Sequence, residues 1–306
     1  MGGGGGGYMP PATADLARKI REQRSEERAR QLDGDVNKLL RSVLGTYERD
    51  AETTKEHLEE LESVLAEVAD IEGFLLGGSV AKHTFVDGLS DIDALVILKS
   101  QYCRGKSPRQ ILKHFFTSLR ERLSSAHVES IHEGDLAVTV RFRGGYEVQL
   151  LPALRRRGKL AIRNPGGYGW LAIEPGKFHQ ALTRQNKRLG GVLVPTIKLV
   201  KSICSDFPAS CRPTGYHIES MCLKAAGDFK GALTPKALLP YMLSRSSELV
   251  RAPIRDITGQ SRSVDSGLGA ANSPARQAAS RALSAVAERL EHAATIDAWI
   301  DVAVGT

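Results

Sequence analysis

Two aspartates two residues apart, Asp91 and Asp93, open an apolar run, Ala94-Leu95-Val96-Ile97-Leu98. A strand alternates its side chains between two faces, so carboxylates at i and i+2 point the same way and hold one hard divalent ion between them. Twelve residues before Asp91 stands Ser79, preceded by Gly77-Gly78. Glycines let a backbone approach a ligand with no Cβ in the way, and a serine opening a short helix offers its hydroxyl and amide to a phosphate. Each half alone is ordinary, since Gly-Gly-Ser is a common turn and Asp-x-Asp a common solvated strand start. At this separation, bracketed by Phe74-Leu75-Leu76 and Ala94 to Leu98, they describe a site that brings a metal ion and a phosphate together. That is the chemistry of metal-dependent nucleotidyl transfer.

The order Gly-Ser, a spacer containing Thr84, then Ser90-Asp91-Ile92-Asp93 resembles the signature of the polymerase-β-like nucleotidyltransferases. Among these the chain most resembles the CD-NTases of bacterial CBASS anti-phage systems, cyclic-oligonucleotide synthases related to cyclic GMP-AMP synthase and oligoadenylate synthase. Tyr146-Glu147-Val148-Gln149-Leu150-Leu151-Pro152-Ala153 is similar to the family's third-carboxylate strand, and Trp170, Pro175, His179 and Asn186 to its Trp, Pro, His and Asn series. Ile197 to Lys201 resembles its lysine helix, Gly215-Tyr216-His217-Ile218-Glu219 its Ser-Tyr-His-x-Glu helix start, and Pro253 to Gly259 its late Asp-Pro-Thr-Gly segment. The likeness spans roughly residues 35 to 295. It implies Mg2+ or Mn2+ on Asp91 and Asp93, a donor triphosphate at Gly78 and Ser79, nucleoside triphosphates as substrates and an effector that responds to the product.

One position departs from the pattern. Where the family carries a third aspartate the chain has Gln149, which keeps an oxygen donor but removes a full charge and so weakens a hard-cation site. Glu147, two residues earlier on the same strand face, is either a substitute ligand or an edge-of-sheet carboxylate. In two-metal catalysis the third carboxylate usually serves the ion that activates the attacking hydroxyl, so its loss bears on nucleophile activation more than on donor binding.

These residues need a sheet and a second lobe to face it. Val36, Leu39, Leu40, Val43, Leu44 and Tyr47, then Leu58, Leu61, Val64, Leu65 and Val68, recur at three- and four-residue steps and predict one or two long helices. Arg18 to Arg30 reads as a solvated or frayed helix, or as a partner surface. Strands are expected at Phe74 to Leu76, Asp91 to Leu98, His127 to Glu133, Leu136 to Phe142 and Tyr146 to Leu151, with a helix from Pro108 to Leu123 and turns at Gly134-Asp135 and Gly144-Gly145. After Pro152 strands nearly vanish. Helices are expected at Pro175 to Leu189, Val192 to Ile203, Tyr216 to Ala226, Pro235 to Ser244 and Ser273 to Ile300, with a loop over residues 255 to 272. The expected fold is α+β: a mixed-sheet nucleotidyltransferase palm, an oligoadenylate-synthase-like helical C-terminal lobe and a long N-terminal helix. The expected divisions are a flexible tail at 1–13, helix and palm at 14–160, and the helical lobe at 161–306. A cleft between the lobes then gives Lys201 two readings, a triphosphate contact or a surface lysine. Tyr216 likewise is a base-stacking platform or a core tyrosine.

The 306 residues carry a formal net charge of +7 and a pI near 9.3, which suits a polyanionic partner. Arg155-Arg156-Arg157, Lys159 and Arg163 form a dense basic run directly after the metal strand: a site for nucleoside triphosphates, for a nucleic-acid or protein activator, or a solvated loop. Four cysteines and no apolar stretch long enough to span a bilayer fit a reducing cytoplasm and no membrane. Cys204, Cys211, His217 and Cys222 are zinc-type ligands at poor spacing, or ordinary buried thiols. Three functions compete: a synthase of cyclic or short oligonucleotide messengers, a transferase acting on tRNA or a protein hydroxyl, and a catalytically impaired nucleotide sensor favoured by Gln149.

Overall fold

The computed structural model describes residues 11–45, 51–86, 92–123, 127–164, 168–259 and 261–303. The glycine run at the N-terminus and Asp91 lie outside them. Helices α1 (Pro11–Gly45) and α2 (Ala51–Val68) lead to β1 (Ile71–Leu76), the one-turn α3 (Gly78–Ala81), β2 (Ile92–Leu98) and α4 (Pro108–Arg122). Strands β3 (Val128–Glu133), β4 (Val138–Phe142), β5 (Glu147–Arg156), β6 (Lys159–Arg163) and β7 (Trp170–Ile173) follow. The rest is helical: α5 (Gly176–Arg188), α6 (Leu193–Ser205), α7 (Gly215–Ala226), α8 (Pro235–Leu249), α9 (Pro274–Glu291) and α10 (Ile296–Ala303). This is the expected α+β architecture.

The sheet runs β1-β2-β5-β4-β3, with β6 on the C-terminal half of β5 and β7 on β6. Only β2 and β5 pair in parallel; the other described pairs are antiparallel. A strand inside a sheet covered on both faces must be apolar on both, which is why β2 reads as a continuous run. Ile92, Ala94, Val96 and Leu98 pack on one face with Leu61 and Leu65 of α2 and with Ile111 and Phe115 of α4. Leu95 faces the other way, toward Leu151 and Ile173. Helix α4 starts sharply because Ser107 accepts from the Gln110 amide while the Gln110 side chain accepts from the Ser107 amide, with Pro108 at the first helical position.

Three features differ from the sequence expectation. The sheet does not stop near Pro152: β5 continues to Arg156, turns at Arg157-Gly158 through two positive φ angles (51° and 77°), and returns as β6. Arg155 and Arg156 are therefore strand residues, with Arg155 paired to Glu72 and Lys159 to Glu174. The last predicted helix is two, α9 and α10. The N-terminal apolar face also divides, because Val36, Leu40 and Val43 of α1 pack on the helical core whereas Leu61 and Leu65 of α2 pack on the sheet. Among the described residues no helix is long and apolar enough to cross a membrane.

The described residues of 250–259 and 261–273 are held by a buried ion pair. Arg276 of α9 donates to Asp265 Oδ2 at 2.6 Å and to the carbonyls of Val250, Gly269 and Ala270 at 2.9–3.1 Å, with both charged side chains fully enclosed. Asp265 also accepts from the Ile254 amide, and the Val264 amide donates to Ile254. His217 of α7 lies 3.3 Å from the same carboxylate, yet burial lowers its pKa to about 4, because Asp265 is already neutralised by Arg276.

Removing the guanidinium strands a buried charge. Arg276→Leu should cost about 3–5 kcal/mol in denaturant unfolding. His217 gives a pH signature: the unfolded chain binds a proton below pH 6.5 that the folded imidazole refuses until about pH 4. Stability should fall as pH drops through that window, and more steeply in the natural protein than in His217→Asn.

Candidate functional site

The turn between β1 and α3 is built around Asp93. Leu76 pairs with Ala94, and the Gly77 amide donates to the Asp93 carbonyl at 2.7 Å. Gly78 has φ +53°, and a Cβ there would lie 1.7 Å from Asp93 Oδ2. Only glycine tolerates both the backbone angle and the approach. The one turn of α3 then closes on a left-handed residue, His83 (φ 57°), with the His83 amide donating to Val80 and the Thr84 amide to Ser79. This pair of reversed bonds is a Schellman cap, normally a glycine's work. It turns Lys82 and Thr84 toward the helical lobe.

On the other side of β2 the parallel register sets Asp93 beside Gln149. Both line a cleft of about 700 Å³ between sheet and helices, together with Gly78, Ser79, Lys201 and Tyr216. Glu147 is placed differently. It accepts from Arg141 Nε and Nη2 of β4 at 3.1 and 2.7 Å, and it is not among the described residues that line the cleft. The substitute-ligand reading of Glu147 thus requires breaking an ion pair.

The helical wall is organised by Glu219 of α7, which is 1% exposed. Its Oε1 accepts from Lys201 Nζ of α6 at 2.8 Å and from the Thr84 hydroxyl, and its Oε2 from Lys82 Nζ. Lys201 Nζ also donates to the Thr84 carbonyl at 2.9 Å. Burial lowers the pKa of Lys201, although Glu219 opposes the shift. Burial also works against the charge on Glu219, but Lys201 and Lys82 outweigh it and hold the carboxyl below its usual range. Lys201 is not a surface lysine; it is buried, with its ammonium reaching the cleft wall.

Tyr216 is half-buried, its ring 5.2 Å from that of Phe178 on α5. Its hydroxyl donates to Asp256 Oδ1 at 2.7 Å, and the phenol is shifted upward by burial and then by that carboxylate. Asp256 also accepts from the Thr258 amide and hydroxyl (2.8 and 2.6 Å) and from the Ser261 amide and hydroxyl (both 3.0 Å), which fixes the far end of the ring. Sequence reasoning gave no role to Lys82 or Phe178, and reached Glu219 and Asp256 only through motif resemblance. Their importance lies in contacts between residues far apart in sequence, 137 positions for Lys82 and Glu219 and 40 for Tyr216 and Asp256, which leave no local pattern.

A divalent cation is the group that the family resemblance implies. The donors beside Gly78 are hard oxygens, the Asp93 carboxylate and the Gln149 amide, which suit Mg2+ or Mn2+. Among the described residues no three His, Cys, Asp or Glu side chains gather to hold a metal, and Asp91 stands outside that set. Cys204 and Cys222 are fully buried apolar neighbours in the helical core, with burial raising both thiols, Cys222 to about 12. Cys211 and His217 are buried as well, and among the described residues the four form no zinc cluster.

Gly78→Ala should cost at least about 1–2 kcal/mol from the left-handed backbone alone, and should push the Asp93 carboxylate out of the cleft. A calorimetric titration with a non-hydrolysable triphosphate should then lose binding along with the melting temperature. Glu219→Gln should be costlier, about 3–5 kcal/mol, because it strands two ammoniums where one carboxylate served both.

No family model and no curated protein sequence matches the chain. Solved structures do. The CD-NTase CdnG of Bradyrhizobium diazoefficiens, in complex with GTP, is 14% identical over 88% of this chain and 95% of its own, with a TM-score of 0.63. The Vibrio cholerae DncV cyclic AMP-GMP synthase, with a linear pppA(3′,5′)pG intermediate, is 12% identical over 98% and 92%, with a TM-score of 0.62. The STING-associated CdnE c-di-GMP synthase of Capnocytophaga granulosa is 18% identical over 90% and 93%, with a TM-score of 0.57. At such identities the likeness is one of fold: over nearly its whole length, this chain has the architecture of the bacterial CD-NTases.

Proposed function

We propose that this chain is a metal-dependent nucleotidyltransferase that joins nucleoside triphosphates into a cyclic or short oligonucleotide second messenger, acting in the cytoplasm in anti-phage defence. The observation that carries the reading is convergence: one cleft gathers Gly78, Ser79, Asp93, Lys201 and Tyr216 from elements spread over most of the chain. Its volume is within the range of small-molecule sites, about 300–1,000 Å³. The shared fold supports the reading, as do the GTP held by CdnG and the linear intermediate held by DncV.

In the reaction an acceptor hydroxyl oxygen bonds to the α-phosphorus of the donor, the bond to the β-phosphate breaks, pyrophosphate leaves and the hydroxyl proton is lost. Positioning and charge neutralisation do most of the work in such transfers. Gly78 and Ser79, at the start of α3 beside the Asp93 carboxylate, receive the donor phosphates. Lys201 supplies positive charge from the cleft wall. Tyr216, steadied by Asp256, offers its ring to a base. Asp93 and Asp91, with the Gln149 amide oxygen, would hold Mg2+ or Mn2+, which neutralises phosphate charge and acidifies the attacking hydroxyl when bound.

Gln149 and the Arg141–Glu147 pair favour a second reading, a nucleotide-binding sensor with impaired turnover. Transfer to tRNA or a protein is the remaining enzyme alternative, supported by the exposed Arg156 and Arg157. An activator binding that basic run and an effector responding to the product are the partners this proposal implies.

Incubating pure protein with each labelled triphosphate and Mg2+ or Mn2+, with and without tRNA, separates the three. A cyclic or oligonucleotide product with pyrophosphate release supports the synthase, label on tRNA the transferase, and binding without turnover the sensor. Asp93→Asn should lower turnover by about a hundredfold or more. Gln149→Asp should raise it, more in Mg2+ than in Mn2+, because the restored charge matters most to the harder ion. Turnover that survives Asp93→Asn would refute the metal assignment.

A further inference from the structure

One carboxylate serves two ammoniums where the lobes meet, and the two are not equivalent. Lys201 is buried in α6 and bonds both to Glu219 and to the Thr84 carbonyl, so two of its three N–H directions are fixed by the protein. Lys82 follows the last residue of α3, one turn from Gly78 and Ser79, and lines the cleft. Among the described residues Glu219 is its oxygen partner, and its ammonium otherwise lies against two rings, 4.8 Å from the centroids of both Phe178 and Tyr216. A cation over a ring face is held more weakly than one hydrogen-bonded to a phosphate. When Lys82 moves, Glu219 Oε1 keeps Lys201 and the Thr84 hydroxyl, so the carboxylate stays paired with one ammonium while Oε2 gives up its contact, a cost the bound phosphate must offset.

We infer that Lys82 is the ligand-responsive cation of this cleft. It passes from the Phe178 and Tyr216 rings to a phosphate of the bound nucleoside triphosphate, and so clears the ring faces for the base. The cleft then selects triphosphates over nucleosides by a side chain that must be drawn away before a base stacks. This rests on the nucleotidyltransferase reading of the site and adds a residue and a selectivity to it.

The test is a calorimetric titration of natural protein and Lys82→Met with three probes: a non-hydrolysable ATP or GTP analogue, the matching nucleoside, and tripolyphosphate. Loss of one charge-assisted contact should weaken the analogue and tripolyphosphate by about tenfold or more. The nucleoside should bind unchanged or tighter, because the rings are already clear. Equal analogue affinity in both proteins overturns the inference, as does a parallel fall for nucleoside and analogue, which a purely structural strut would give. If the natural protein binds none of the three probes, the function proposed for the cleft fails as well, an outcome distinct from failure of Lys82 alone. Should Lys82→Met not fold, NMR of the 13C-dimethylated natural protein decides, with the Lys82 signal assigned through Lys82→Arg. That signal must shift on adding tripolyphosphate, and a stationary signal refutes the inference.

Discussion

The buried carboxylate of Glu219 is the constraint on which the cleft depends. A carboxylate that is almost fully enclosed is costly unless it is paired and hydrogen-bonded on all sides. Here both oxygens are served: Lys201 and the Thr84 hydroxyl on one, Lys82 on the other. Lys82 and Thr84 belong to the turn after α3, Lys201 to α6 and Glu219 to α7, so satisfying one charge fixes the spacing of sheet and helical lobe. Exchange of a buried ionic cluster for apolar residues is often neutral or stabilising. What this cluster contributes is therefore position, and positive charge at the cleft wall.

A second constraint works at shorter range. The Asp93 carboxylate occupies the space a side chain at Gly78 would need, and the Gly77 amide is bonded to the Asp93 carbonyl. The glycine turn and the acidic strand are thus one unit, in which backbone geometry aims a carboxylate. His83 shows the same economy at the other end of the turn: a non-glycine residue accepts the left-handed conformation because both reversed hydrogen bonds and the Glu219 contacts hold it there.

Gln149 marks where this site parts from a three-carboxylate arrangement. Its register partner on β2 is Asp93, so the amide stands at the position where a third negative charge would act. Glu147 is near in sequence but is engaged by Arg141, which faces it across β4 and β5. A cation thereby occupies the sheet next to Asp93 and Gln149, and the net negative charge there is lower than the strand's composition alone suggests.

Much of this was legible in the sequence because it depends on local periodicity. The Gly-Gly-Ser turn, the i and i+2 aspartates, the doubly apolar β2 and the amphipathic helices each carry a pattern that short-range sterics and burial impose, and from them the α+β class and the Asp93–Gly78–Ser79 grouping follow. Strands β6 and β7 were not legible. Five and four residues long, they gain their identity from pairing with the end of β5 and with each other, which no window along the chain records. The division of the N-terminal helices between two cores was hidden for the same reason, since the apolar spacing of α1 and α2 is alike whichever surface receives it. Tertiary structure alone decided that Lys201 is buried rather than solvated, that Glu147 pairs with Arg141, and that Lys82 meets Glu219 across 137 residues. Sequence specifies which groups a chain has and which face of an element they take; the folded chain decides which charges are brought close enough to neutralise one another.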